Sequence, residues 1–158
     1  MSRRGAVAPA QADELRRVAQ RFFRRFGALA SDRTPCGKPL SMAHAHALMV
    51  LLAQGELTQQ ALGAELGIDK SNVARLCAKM VRARHARQRA SERDGRSRLV
   101  SLTTSGARLA REVDDASRAR FGALLGGVAE ARRADVIAAL QHLVDALDAP
   151  PLEERPSP

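Results

Sequence analysis

The chain has no tryptophan, no tyrosine and only two cysteines among its 158 residues. Aromatic residues make up 3%, all of them the four phenylalanines, so a core must be built from leucine, valine and alanine. Two cysteines exclude a disulfide-stapled scaffold and suit a reducing cytoplasm. Long apolar runs are missing as well. The longest, Ala47 to Ala53, is far short of the roughly 20 residues a membrane helix requires. Arg3 and Arg4 have no apolar stretch behind them, so no secretory leader is expected. Nor is there a glycine-rich phosphate loop, a nucleophile elbow or a His-Glu-x-x-His run, and Asp114-Asp115 reads as a solvated helix face. The expectation is a cytoplasmic protein that is not an enzyme, carries no cofactor and has no membrane partner.

Lysine is scarce too. Lys38, Lys70 and Lys79 are the only lysines among 26 basic residues, the rest being arginine, against 17 acidic residues and a formal charge of +9. Arginine supplies planar, forked donors suited to phosphates and guanine edges. The excess is also concentrated. Between Asp69 and Arg98 ten basic residues face three acidic ones. A block of this kind is an electrostatic footprint for a polyanion. With 45% hydrophobic and 27% charged residues, the chain otherwise reads as one globular domain or one protomer of a symmetric assembly.

Apolar periodicity divides the chain. Residues 1–11 read as a loose tail. Leu15, Val18, Phe22, Phe26 and Leu29 predict a first helix from Asp13 to about Ala30. Asp32, Pro35, Gly37 and Pro39 mark a turn region. A second helix runs from Ser41 to Gly55. A third covers 58–66, with Thr58 as N-cap and Gly67 as stop. Asp69 caps a fourth, with the stripe Val73, Leu76, Cys77 and Met80. Segments 86–91 and 97–103 then flank Asp94-Gly95, a hairpin-turn dipeptide. Thr103 or Thr104 caps a long fifth helix, which Gly126-Gly127 interrupts. The last helix, about 130–148, ends at Pro150-Pro151.

The centre of this pattern is a helix-turn-helix. Leu62 and Leu66 face Val73 and Leu76 across a turn that needs the backbone freedom of Gly67, and Ile68 plugs the corner. With that stripe inward, the fourth helix turns Ser71, Asn72, Arg75, Lys79 and Arg82 outward, donors on a rod that fits the major groove. The following hairpin adds Arg89, Arg93, Asp94, Arg96 and Arg98.

Leu57-Thr58, the helix-turn-helix, and the run from Asp94-Gly95-Arg96 to Leu102-Thr103-x-x-Gly106 resemble the MarR (multiple antibiotic resistance regulator) transcription factors, over about residues 13–148. The resemblance implies a mainly α (α+β) fold, a winged helix-turn-helix with N- and C-terminal helices forming a dimerisation region. It divides the chain into a DNA-binding domain at 41–103, a dimerisation region at 12–40 and 104–148, and disordered tails at 1–11 and 149–158. It also implies that Arg96 at the wing enters the minor groove and that Asp94 orients the wing arginines. The sequence departs from the family after the fourth helix. A glycine and apolar residues are usual there, and Arg84, His85 and Ala86 stand instead. A reshaped exit turn and a mobile wing are expected.

Four residues invite a sensing role. His44 and His46 lie two apart on the second helix and diverge by about 200°, so they serve different sites; either is a candidate for lining an effector cleft. Cys36 with one histidine and Asp114 or Glu112 makes an incomplete metal set, and no metal is expected. Cys77 reads either as a small buried thiol or as a redox group whose basic neighbours lower its pKa. The expected function is a homodimeric transcriptional regulator, a repressor on an inverted-repeat operator in double-stranded DNA, released by a small-molecule effector such as an acid or phenol with an apolar body. The alternatives are an architectural or partner-binding protein without operator specificity, and a redox- or metal-responsive regulator using Cys77 or Cys36 and His44.

Overall fold

The computed structural model describes residues 6–149. The expected tails at 150–158 and at 1–5 lie outside the described residues. Helix α1 (Pro9–Phe26) starts earlier and stops earlier than its periodicity predicts. Pro9 opens it in the first helical position, and Gln11 Oε1 accepts from the Ala8 amide at 3.3 Å. A start without a Ser, Thr, Asp or Asn cap carries no obvious signal in the sequence. The structure thus turns residues 9–11 of the expected tail into helix.

Helix α2 (Met42–Gln54) begins at Ser41, whose hydroxyl accepts from the His44 amide, and contributes Ala45, Ala47, Leu48 and Leu51 to the buried core. Strand β1 (Leu57–Thr58) follows directly and leads into α3 (Gln59–Leu66), which Thr58 caps through the Ala61 amide at 3.0 Å. Gly67 takes a left-handed φ of 64°, the conformation expected of the turn. Helix α4 (Lys70–Arg82) buries Val73, Leu76, Cys77 and Met80. Burial stabilises each by on the order of 1.5–3 kcal/mol relative to exposure. The wing is β2 (Ala86–Ala90) and β3 (Arg98–Leu102), antiparallel, with Gln88 opposite Val100. β1 pairs with the other edge of β3, Leu57 opposite Val100, so the sheet order is β1-β3-β2.

Helix α5 (Thr104–Gly126) starts under a Thr103 cap and buries Gly106, Ala110 and Val113. Ala110 and Val113 join the same core as Leu48, Leu62, Met80 and Val100. A short 3-10 turn (Glu130–Arg132) precedes α6 (Arg133–Asp148). The chain separates into two compact units, residues 1–119 and 120–158. In the first, α1 buries no side chain and exposes Leu15, Val18, Phe22 and Phe23. In the second, α6 likewise exposes Ile137, Leu140, Leu143 and Val144. Among the described residues no helix is long and apolar enough to cross a membrane.

Candidate nucleic-acid interface

The outward face of α4 carries Ser71, Asn72, Arg75, Lys79 and Arg82, all exposed. Positions 72, 75, 79 and 82 fall on one side of a helix, opposite its buried stripe. The side chains at its start are already connected. Asp69 accepts from the Asn72 amide at 2.8 Å and from its side-chain nitrogen at 2.5 Å, and Asn72 in turn accepts from Arg75 Nη2 at 2.5 Å. The backbone hydrogen bond from Asn72 leads the contacts that hold the Asp69 carboxyl below its ordinary range. Asn72 therefore uses both ends of its amide within the helix and aims Arg75.

The exit of α4 is where the sequence departs from the resembled pattern, and the turn is indeed particular. The His85 amide bonds the Met80 carbonyl and the Arg84 amide bonds Val81, both at 2.9 Å, a Schellman closure. Arg84 occupies the left-handed position, φ 60°, that glycine usually takes. The Leu-Thr-x-x-Gly run docks on this turn. The Thr103 and Ser105 hydroxyls donate to the Arg84 carbonyl at 2.6 and 2.8 Å, and the Thr103 amide donates to His85 O at 3.1 Å. A Cβ on Gly106 would stand 1.8 Å from that same His85 oxygen. The glycine is there because another backbone occupies its side-chain space.

At the wing, Asp94 orders the loop backbone rather than an arginine side chain. It accepts from the Arg96 amide at 3.1 Å and the Ser97 hydroxyl at 2.8 Å. These two bonds, the backbone one first, depress its pKa. The strands are joined by residues 91–97, and Gly95 does not adopt positive φ. The Asp-Gly pair therefore marks a longer loop and not a two-residue primed turn. Anchoring comes from Ala86, which is buried, and from Gln88, which donates to Gln59 Oε1 at 3.0 Å.

The wing arginines are not equivalent. Arg89 is engaged with Glu56 through two bonds at 2.6 and 3.2 Å, which depress the Glu56 pKa. Arg87 donates to the Ser101 hydroxyl. Arg93, Arg96 and Arg98 have no ion pair or side-chain hydrogen bond among the described residues, and Lys70 has none either. Lys70, Arg96 and Arg98 instead rim a cleft of about 520 Å³ between wing and helices, floored by Thr58, Gln59, Gly63, Ala64, Ile68 and Val73. Sequence reasoning gave no site role to Lys70, Glu56, Gln59 or His85, because none stands on an apolar repeat and the roles of Glu56 and Gln59 depend on β1 pairing with the wing.

The sensing candidates separate. His44 is 2% exposed and faces His85, while His46 is exposed along a groove with Met42, Val50, Glu65 and Leu66. The 2-residue spacing does send them to different places. Cys77 is fully buried, and burial pushes its thiol up to about 11, against the lowering expected from its basic neighbours. Cys36 contacts the Thr34 hydroxyl at 3.0 Å; Glu112 pairs with Lys38 and Asp114 with Arg118. Among the described residues no three His, Cys, Asp or Glu side chains cluster to hold a metal.

Residues 38–97, from the start of the α2 region to the wing loop, match the model of the MarR family. Over that segment the chain is similar to the MarR family. No curated protein matches the chain in sequence. Solved structures share the fold beyond the matched segment. The PcaV transcriptional regulator of Streptomyces coelicolor, solved with its natural ligand, is 23% identical, with a TM-score of 0.67 over 90% of this chain and 99% of its own. A probable transcriptional regulator from Pseudomonas aeruginosa is 20% identical, with a TM-score of 0.72 over 84% and 98%. Streptococcus pneumoniae FabT, solved in complex with DNA, is 18% identical, with a TM-score of 0.67 over 88% and 96%. At these identities the likeness is one of fold.

Proposed function

We propose that the chain is a DNA-binding transcriptional regulator, a repressor that works as a homodimer on an inverted-repeat operator and leaves it when a small organic effector binds. The observation that carries this reading is the set of uncommitted cations, Lys70, Arg96 and Arg98, around the cleft beside the polar face of α4. A cation already paired with a carboxylate gains little from a phosphate; these have no such partner to give up. Ser71 and Arg75, the latter aimed by Asn72, are the side chains for base edges, and Lys79, Arg82, Arg93, Arg96 and Arg98 for phosphates and the minor groove. FabT, a fold relative, was solved with DNA, and PcaV with its ligand, which fits both halves of the reading. The apolar faces of α1 and α6 supply the dimer surface. The effector acts by binding the DNA-incompatible arrangement more tightly.

Selection of bound duplexes from a random DNA pool tests the proposal. The expected product is an inverted repeat whose half-sites lie about one helical turn apart, bound at least ~10³-fold more tightly than random duplex. Equal affinity for selected and random duplexes would establish an architectural protein instead.

A further inference from the structure

The turn after α4 is where recognition helix, wing and α5 meet, and its polar link to α2 is a contact between two rings. His44 Nε2 and His85 Nδ1 stand 3.1 Å apart, with the rings edge to face at 61°. His44 is buried, and its second nitrogen, Nδ1, has no hydrogen-bond partner among the described residues. One hydrogen must sit between the two rings, and the orphaned nitrogen decides whose it is. Were His85 the donor, neutral His44 would carry its own hydrogen on Nδ1, a donor sealed from water. With His44 Nε2–H donating, Nδ1 is a bare lone pair, which costs less to leave unmet. His44 donates and His85 accepts.

A further proton has no good place in this arrangement. On His85 Nδ1 it sets one N–H against another across the contact. On His44 Nδ1 it buries a charged donor with no acceptor. Passing the shared hydrogen to His85 still leaves a hydrogen on His44 Nδ1. The charges that act on His44 are His85 itself and Lys79 of α4, both unfavourable to an imidazolium. At the turn, the entry to α5 brings the uncharged Thr103, Ser105 and Gly106, and β3 carries the apolar Val100 and Leu102 into the shared core. The acid of α3, Glu65, lies along the groove with His46. Among the described residues no carboxylate acts on His44 to compensate.

We infer that His44 is a positioning residue for DNA docking: acting through His85, it keeps the α4 exit turn closed, and acid strong enough to protonate the buried pair opens that contact and frees the recognition helix from the wing. The inference rests on the DNA-binding reading above. Two arms test it. With the best duplex from the random pool, affinity of the wild-type protein falls at least about tenfold more between about pH 7.5 and about pH 4.5 than that of a His44→Gln/His85→Gln double variant. A purely structural pair would lower affinity equally at both pH values, and parallel pH profiles overturn the inference. The second arm needs neither variant nor DNA. Amide exchange at Thr103 and Gly106, corrected for intrinsic rate, accelerates in acid relative to the α2 amides in the wild-type chain. Unchanged relative protection overturns the inference even if the double variant does not fold. Failure to bind any duplex at neutral pH would instead defeat the DNA reading, with the exchange arm still deciding this one.

Discussion

Arg84 shows how a single residue departs from its local preference and why the fold tolerates it. A side chain in the left-handed region costs roughly 1 kcal/mol, and glycine removes that cost at the expense of a more flexible unfolded chain. Because the hydroxyls of Thr103 and Ser105 bond the Arg84 carbonyl and not its side chain, Arg84→Gly keeps the docking intact. The expected outcome is a small stabilisation, up to about 1 kcal/mol, read as a raised urea midpoint with an unchanged slope. His44 gives a pH dependence of definite sign. Burial first, then His85 and Lys79, lowers its pKa from 6.5 to about 4. Below the ordinary value the unfolded chain takes up a proton that the folded chain refuses, so stability falls as pH drops from 6.5 towards about 4 and is flat above that window. Urea titrations across this range show that slope, and His44→Gln reduces it. Among the wing arginines, Arg96→Ala lowers the salt dependence of DNA affinity by about one counterion. Arg89→Ala lowers it less, because Glu56 already holds that guanidinium. Equal salt slopes for the two variants would count against an uncommitted Arg96.

At the scale of elements, Gly106 is the decisive position. An added methyl at 1.8 Å from the His85 carbonyl has a backbone atom in its way, so α5 must move off the turn. Gly106→Ala is expected to cost about 3 kcal/mol or more, measured by urea unfolding, whereas Gly122→Ala, with open space around it, stays within about 1 kcal/mol. Elements of this kind also mark what the amino-acid order discloses. The caps Thr58 and Asp69, the helix starts at Ser41 and at Thr103 or Thr104, and the stripe Val73, Leu76, Cys77 and Met80 are legible because helix ends and helix faces are local chemistry. β1 is not legible. Two residues cannot show an alternation, and Leu57-Thr58 becomes a strand only because β3 offers an open edge. The same long-range pairing brings Glu56 and Gln59 beside Arg89 and Gln88. Of the interface, the α4 face could be read from its period; which arginines remain uncommitted could not, since that depends on partners far away in sequence. The Asp94-Gly95 pair signals a reversal but leaves its length open.

For the whole molecule, the two compact units each leave an apolar helix face uncovered: Leu15, Val18, Phe22 and Phe23 on α1, and Ile137, Leu140, Leu143 and Val144 on α6. Scattered exposed hydrophobics are ordinary, but contiguous stripes of this length on two helices are the mark of an interface. A charge placed in the stripe, Leu140→Glu or Leu143→Arg, is expected to shift the protein from dimer to monomer in sedimentation and to weaken operator binding about a hundredfold or more, because the second half-site is lost. Dimeric mass retained by both variants would show that α6 is not the surface involved. The clamp formed by Arg84, Thr103 and Ser105 has one more consequence. It closes the base of the wing, Val100 and the β1 pairing hold its strands to the core, and the Ser91 amide bonds the Ser97 carbonyl, so the loop between 91 and 97 is an excursion whose two ends are stapled together. Such a loop behaves as a cassette: tips of other lengths or charges are exchangeable there, and specificity is free to diverge while the body of the protein stays as it is.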